Sequence, residues 1–215
     1  MKVGLMPLFG GETSDPEYVA RITRGMEDRG FHSVWVPDHI LIPKVIKSAY
    51  PYRDDGSFPV DPSILGLDPI ALLSFIAAHT KKMRLGTGVI VLPQRNPALA
   101  AKQAADLDVL SGGRFDFGIG VGWLAEEFAA IGESFERRGA RSDEYIRMMQ
   151  KLWQTKEASY YGEFVQLPEC YEDTKQVQQA DPPLGLGGEG KMDLRRVVRL
   201  GQDYVAELRR VRGPE

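Results

Sequence analysis

The chain has 215 residues, 43% of them hydrophobic, and its 27 basic and 30 acidic side chains leave a net charge of −3. This length can bury a sizeable core, so we expect a single domain over residues 1–215. The mixed charges contain no basic run, which argues against a nucleic-acid partner. The sequence contains no run of about 18 apolar residues, so it predicts no membrane-spanning helix. The lone Cys170 and the absence of a signal peptide before a first strand at Lys2 predict a cytoplasmic protein.

The first third of the chain predicts a strand, a helix, a second strand and a long excursion. The strands are Lys2–Leu8 and His32–Pro37, and the pair Asp15-Pro16 opens the helix between them, with the aspartate as N-cap and the proline at the first helical position. The excursion, Leu41–Leu67, is rich in Pro, Tyr, Asp and Gly. A loop of this length inside a compact domain is usually a functional lid or an assembly element.

The same alternation continues to the end of the chain. The pairs Asp68-Pro69 and Asn96-Pro97 open two further helices, the second of them ending at 111–113. The remaining predicted elements are strands Met83–Leu92, Arg114–Gly120, Pro183–Gly187 and Asp203–Ala206, helices Trp123–Ile131, Ser142–Trp153 and Met192–Leu200, a hairpin Glu157–Leu167 and a loop Pro168–Asp181.

Six strands separated by helices predict an α/β fold with a parallel sheet. The alternatives are a (β/α) barrel and an open doubly wound sheet, and the glycine-rich strand ends favour a TIM-type (β/α)8 barrel. A closed barrel needs eight strands and about 250 residues. We therefore expect a barrel that is truncated at its C-terminus, with about six β/α units.

Two strand ends carry candidate chemistry. Asp38 and His39 directly follow the second strand, where a histidine is well placed to move protons and a carboxylate to orient a ligand; the alternative is a surface loop pair. Glycines alternate over 118–122 and recur at Gly88-Val89, which lets a planar ring approach the backbone unless a neighbouring strand fills the space. No two histidines have metal-ligand spacing, so we expect no metal site.

A third glycine-rich turn, 185–190, matches G-x-G-x-x-G between a strand and a helix. With Asp203 as a ribose-binding acid it allows a dinucleotide-binding interpretation, although that motif normally opens the first β/α unit. Its backbone N–H groups also suit a phosphate, which makes Gly187, Gly188 and Gly190 a candidate phosphate cradle. A tight turn without a ligand fits the same residues.

Several segments together resemble the luciferase-like monooxygenase superfamily, and most closely its branch that uses the deazaflavin coenzyme F420. They are VWVPDHI, LGTGVIVLPQRNP, LDVLSGGRFDFGIGVGWLAEEF, RGARSDEYI and PPLGLGGEG. The resemblance covers nearly the whole chain. It implies a (β/α)8 barrel, assembly as a homodimer or a larger homo-oligomer, and a small-molecule substrate.

The resemblance also implies roles for individual residues. It implies that the flavin or deazaflavin ring lies across the strand ends, backed by a bulge at Gly88-Val89 that often contains a cis peptide. Gly120, from the strand of alternating glycines, is a further candidate contact of the ring. Asp38 and His39 contact the ring, and His39 donates or accepts the proton during hydride transfer. Gly187, Gly188 and Gly190 receive the cofactor phosphate.

The function predicted from the sequence is hydride transfer between coenzyme F420 and a small organic substrate. One alternative is an FMN-dependent monooxygenase of the same superfamily, and another is a truncated paralogue that binds cofactor without catalysis.

The chain departs from the family pattern in two places. Some deazaflavin-dependent dehydrogenases have a glutamate where this chain has Trp123, which argues against a sugar-phosphate dehydrogenase. Relatives continue through two more strands beyond the position of Glu215.

Overall fold

The computed structural model describes residues 2–64, 66–178, 184–187, 195, 198 and 200, together with the backbone of 203–205. Seven strands in these ranges form one parallel sheet. They are β1 (Gly4–Leu5), β2 (Ser33–Val36), β3 (Arg84–Thr87), β4 (Ile90–Val91), β5 (Phe115–Gly120), β8 (Leu184–Gly187) and β9 (Asp203–Val205). Their order in the sheet is β1-β2-β3-β5-β8-β9, with β4 beside β5. The α/β class and the parallel sheet are therefore confirmed, and closure into a barrel stays a prediction.

Helices connect and cover these strands. They are α1 (Pro16–Asp28), α2 (Pro69–His79), α3 (Pro97–Ser111), α4 (Ala125–Ala130) and α5 (Arg138–Gln154), with short 3-10 turns at Gly11–Ser14 and Leu92–Gln94. A separate antiparallel hairpin joins β6 (Glu157–Tyr161) to β7 (Gln166–Tyr171). Within the described part of the chain, no helix is both long and apolar enough to cross a membrane.

The three predicted cap-plus-proline helix starts are confirmed. Asp15 accepts a hydrogen bond from the backbone N–H of the third helical residue of α1 at 2.8 Å. Asp68 and Asn96 each accept from two N–H groups at the starts of α2 and α3. These side chains satisfy donors that have no partner inside the helix. Gly112 ends α3 in the left-handed conformation, with φ of 70°.

The core lies between the sheet and the inner faces of α2, α3 and α5. Alternate residues of the strands point toward these helices, so buried side chains from strand and helix interdigitate. The indole Nε1 of Trp153 donates to the carbonyl of Ala101 at 3.0 Å, which ties α5 to α3. The largest fully buried side chains include Leu73, Ile76, Leu85, Leu107, Phe115, Phe117 and Ile119.

Several predicted boundaries were wrong. The first strand, predicted over Lys2–Leu8, is limited to Gly4–Leu5, the two residues that pair with β2. The predicted helix Met192–Leu200 lies outside the described residues except at 195, 198 and 200. The third strand is interrupted at Gly88-Val89, where the peptide bond is cis as the resemblance implied, so it forms β3 and β4. Helix α5 begins at Arg138 rather than Ser142, because the Ser142 hydroxyl bonds back to the carbonyl four residues earlier instead of capping. The second hairpin strand runs on to Tyr171 and includes the exposed Pro168, so the loop predicted from 168 starts later.

The face of the sheet that points away from the helices uses glycine to make room for the chain's own side chains. A Cβ built on Gly86 would lie 2.3 Å from the ring of Trp35, which stands on the neighbouring strand β2. Trp35 is held in that place by a hydrogen bond from its Nε1 to the Ser33 hydroxyl at 3.0 Å. The indole ring therefore occupies the volume that a side chain at position 86 would need.

We predict that Gly86→Ala destabilises the fold by about 1–3 kcal/mol, because the rigid indole cannot yield as a flexible side chain would. Urea-induced unfolding measures this change. Gly66→Ala is the matched control, because its Cβ would meet the nearest atom, on Leu8, at an ordinary 3.5 Å. Equal stability of the Gly86→Ala variant and the wild type would contradict the conclusion that Trp35 occupies the space beside Gly86.

Candidate active site

The candidate active site lies at the carboxyl ends of β2, β4 and β5. His39 follows β2, and Gly88-Val89 lies between β3 and β4. The Val89 side chain fills the space beside Gly120, where a Cβ would come within 2.5 Å of Cγ2. Crowding by the neighbouring strand, left open above as an alternative, thus accounts for the glycine at 120. Half-buried Gly88 and Val89 still present part of their surface at this end of the sheet.

His39 is oriented by a carboxylate that sequence analysis did not connect with it. Its Nδ1 lies 2.9 Å from Oε2 of Glu127 in the first turn of α4. The Glu127 side chain is 1% exposed, whereas that of His39 is 18% exposed. The other oxygen, Oε1, accepts the backbone N–H groups of Ile40 at 2.8 Å and Leu41 at 3.3 Å. One carboxylate therefore holds both the imidazole and the backbone that follows it.

The neighbouring Glu126 fixes the next part of the excursion. Its Oε1 accepts the backbone N–H groups of Lys47 at 2.8 Å and Ser48 at 3.0 Å, and its Oε2 accepts the Ser48 hydroxyl at 2.7 Å. The Ser48 hydroxyl bond, together with these backbone bonds, lowers the pKa of Glu126, so the group is an anion at neutral pH. The adjacent glutamates do not form a two-acid catalytic pair, since each binds a different part of the loop.

Aromatic rings from the excursion surround His39 and Trp123. The Trp123 ring centroid lies 5.1 Å from that of Tyr50 and 5.4 Å from that of Phe58. The imidazole of His39 makes edge contacts with Phe58 at 5.5 Å and Trp123 at 6.3 Å. All of these side chains are only partly buried. The excursion therefore forms an aromatic wall over the strand ends, with the histidine at its base.

Asp38 occupies a different position from its neighbour. Its carboxylate has no exposed side-chain surface and accepts from Arg95 Nη2 at 2.7 Å, Arg95 Nε at 3.2 Å and the backbone N–H of Val91 at 3.0 Å. Arg95 also binds Asp68, the cap of α2, at 2.8 Å. Burial raises the pKa of Asp38, and its bonds to Arg95 and Val91 offset only part of that rise. Contact of Asp38 with a ring stays a prediction, and here its oxygens are committed to these partners.

The glycine-rich turn after β8 is described only in part. Gly187 ends β8, next to β5 in the sheet, while Gly188 and Gly190 lie outside the described residues. Asp203 begins β9 opposite Gly185. A ribose-binding acid is expected at the carboxyl end of its strand, so this position does not favour the dinucleotide interpretation. The described side chains contain no cluster of three or more potential metal ligands.

The protein is an α/β protein with a parallel sheet, and its polar candidate residues lie at the carboxyl ends of the strands. This is where α/β proteins usually bind their ligands. Comparison with known families makes the assignment specific. The family model for luciferase-like monooxygenases matches residues 1–211. The chain therefore belongs to the luciferase-like monooxygenase family.

Individual relatives differ in cofactor. The chain is 34% identical to an uncharacterised protein of Mycobacterium tuberculosis, over 98% of this chain and 74% of the relative. It is 29% identical to an FMNH2-dependent dimethylsulfone monooxygenase of Pseudomonas putida, over 68% of this chain and 41% of that protein. An F420-dependent secondary alcohol dehydrogenase, solved with an F420-acetone adduct, has the same fold, with a TM-score of 0.74 and 22% identity over 95% of this chain and 57% of that one. The chain spans about half the length of the solved structures it matches.

We predict that Arg95→Met destabilises the protein by about 3 kcal/mol at neutral pH, because it leaves the buried Asp38 carboxylate without its cation. With Arg95 absent, the folded-state pKa of Asp38 lies further above its unfolded value. The folded state then binds a proton that the unfolded state lacks, so stability falls as pH rises through this window. The deficit of the variant is therefore smallest in acid and largest above the folded-state pKa.

Chemical denaturation of both proteins across a pH series measures this deficit. Arg53→Ala is the control, since Arg53 pairs with Asp55 at 4.0 Å on the surface and its removal costs no more than about 1 kcal/mol. A deficit that does not change with pH would mean that the Asp38 charge is not its cause.

Proposed function

We propose that this protein is an oxidoreductase that transfers hydride between coenzyme F420 and a small organic substrate. The observation that carries the proposal is the position of His39, a half-buried imidazole held by a buried carboxylate at the carboxyl edge of the sheet. An imidazole changes its protonation near neutral pH and can exchange a proton with a reacting hydroxyl or carbonyl group. Membership of the luciferase-like family supports the redox chemistry.

The residues present at the strand ends fit a planar ring. Gly88 has no side chain, and the space beside it is bounded by the flexible Met6, whose terminal methyl would lie 2.6 Å from a Cβ there. Met6 is itself 52% exposed, so it can move aside for a ligand. Val89 offers an apolar surface next to Gly88. Together with the aromatic wall, this surface suits an uncharged, flat group.

Each residue then has a separate task. When bound, the deazaflavin accepts or donates the hydride, and the protein supplies position and proton transfer. His39 accepts the proton released when hydride leaves a carbon that bears a hydroxyl group, and it returns the proton in the reverse direction. The Gly88-Val89 backbone supports the ring, with Gly120 behind Val89. Asp38 keeps the backbone at Val91 in place.

The phosphate of the cofactor would bind at the turn after β8, at Gly187, Gly188 and Gly190. Free backbone N–H groups before a helix are suited to this, because they point at the anion without a side chain in the way. We place the protein in the cytoplasm as a homodimer or a larger homo-oligomer that acts on a small molecule.

An FMN-dependent monooxygenase is the second candidate. It is favoured by the FMNH2-dependent monooxygenase among the relatives, which matches 68% of this chain. In that case the same strand ends would hold the flavin ring, and the aromatic wall would limit the access of water to it. Consumption of oxygen driven by reduced FMN distinguishes this activity from hydride exchange with F420.

We predict that the purified protein binds coenzyme F420 more tightly than FMN. Parallel titrations that follow the fluorescence of each ring measure both dissociation constants. Preference for FMN would replace the first proposal by the second. Binding of neither would contradict both and favour a paralogue that has lost catalysis.

We also predict that His39→Ala lowers turnover by roughly 10²- to 10⁴-fold, the usual contribution of a positioned acid or base, while the dissociation constant of the cofactor changes little. His79→Ala is the matched control, because His79 is also partly buried but ends α2 with its Nδ1 on the carbonyl of Phe75. Equal losses of turnover and of cofactor affinity in His39→Ala would rule out proton transfer as the role of His39.

A further inference from the structure

We propose that Glu127 is a positioning residue that sets the tautomer of His39, so that the neutral imidazole carries its proton on Nδ1 and presents a bare Nε2 to the substrate. This inference deepens the proposed function and rests on it for its catalytic meaning. Its structural content, the location of one proton, can be tested without cofactor or substrate.

The argument starts from the hydrogen-bonding capacity of a carboxylate, which only accepts. Oε1 of Glu127 already accepts two backbone N–H groups, those of Ile40 and Leu41. Oε2 lies 2.9 Å from Nδ1 of His39. For this contact to be a hydrogen bond, the proton must reside on Nδ1. A neutral imidazole has one N–H, so Nε2 is then an acceptor and can serve as a base.

Among the described residues, Glu127 is the hydrogen-bond partner found at Nδ1. The imidazole also makes edge contacts with the rings of Phe58 and Trp123, whose side chains carry no oxygen or nitrogen that accepts a hydrogen bond. These contacts restrict rotation of the ring. Glu127 is 1% exposed, so water does not compete for its oxygens. The buried carboxylate therefore determines both the orientation of the ring and the location of its proton.

The same carboxylate makes the tautomer depend on the start of the excursion. If the carboxylate rotated so that Oε1 faced His39, Oε1 would lose its hydrogen bonds to the N–H groups of residues 40 and 41. As long as these two donors remain in place, Oε2 is the oxygen left for the imidazole. The proton on His39 and the position of residues 40 and 41 are thus held by the two oxygens of one side chain.

Replacing Glu127 by glutamine should favour the opposite tautomer of His39. The single oxygen of the amide must face the N–H groups of Ile40 and Leu41, because those groups only donate. The amide NH2 then faces His39 and donates to Nδ1, which moves the imidazole proton to Nε2. Glu127→Gln should therefore invert the tautomer while keeping the size of the side chain.

Nitrogen-15 NMR of the imidazole in alkaline buffer, where ordinary imidazoles are neutral, tests this directly. The correlations between the carbon-bound ring protons and the two ring nitrogens show which nitrogen is protonated. His39→Gln identifies the His39 signals among those of the three histidines. Wild type should show Nδ1–H, and Glu127→Gln should show Nε2–H. Glu126→Gln, which weakens the loop anchor at Lys47 and Ser48 alone, should keep Nδ1–H.

The proposal is overturned if wild type shows Nε2–H, if Glu127→Gln keeps the wild-type tautomer, or if Glu126→Gln changes it as well. Should Glu127→Gln fail to fold, wild type still provides a test. Its Nδ1–H, which donates to a buried carboxylate, should exchange slowly with solvent and give a signal that disappears in His39→Gln. Rapid exchange of that proton would contradict the proposal.

A kinetic measurement links the tautomer to turnover. With the cofactor that the titrations select, Glu127→Gln should lower kcat for substrate oxidation about tenfold or more with little change in KM, because Nε2 is no longer a base. A rise in KM alone would show that Glu127 acts only through the shape of the pocket, which would overturn its role in catalysis. Absence of cofactor binding would defeat the proposed function but leave the NMR result valid.

Discussion

The candidate site depends on one buried carboxylate, that of Glu127. Its two oxygens bind the imidazole of His39 and the backbone of Ile40 and Leu41, three groups that lie almost 90 residues away in sequence. A buried carboxylate without partners would be costly, so these three donors and the carboxylate stabilise one another. The histidine, the start of the excursion and the first turn of α4 therefore form a single unit. Movement of any one of them would leave a buried polar group unpaired.

The same device recurs around the sheet. Glu27 at the end of α1 accepts the backbone N–H groups of 81–83, and these bonds outweigh its burial and lower its pKa. Glu144 on α5 accepts three N–H groups from the turn of the hairpin, at 163–165. Asp108 on α3 accepts those of Val177 and Gln178. In each case a carboxylate on a helix accepts hydrogen bonds from backbone N–H groups of a loop or turn, and so satisfies groups that would otherwise need another partner. Irregular segments are thereby held in fixed positions by rigid elements.

The packing on the face of the sheet that points away from the helices explains why the site lies at the strand ends. Trp35 fills the space beside Gly86, and Val89 fills the space beside Gly120. Glycine at these positions accommodates neighbouring side chains of the same chain. Part of the surface at Gly88-Val89 stays open, and among the described residues the side chain nearest to a Cβ at Gly88 is the half-exposed Met6, followed by Trp35 at 3.7 Å. The aromatic wall of the excursion then encloses this surface and His39 from above.

The sequence by itself determined the alternation of helices and strands, the three capped helix starts, the parallel sheet and the position of His39 at a strand end. These features follow from local rules of capping, periodicity and glycine placement, and from motifs short enough to recognise. Only the tertiary structure decided that Asp38 turns inward to Arg95 while its neighbour His39 turns to Glu127, and that Glu126 and Glu127 bind different parts of one loop. Such partners are far apart in the chain, and which oxygen meets which donor depends on how helices and loops pack, which no local pattern of residues records.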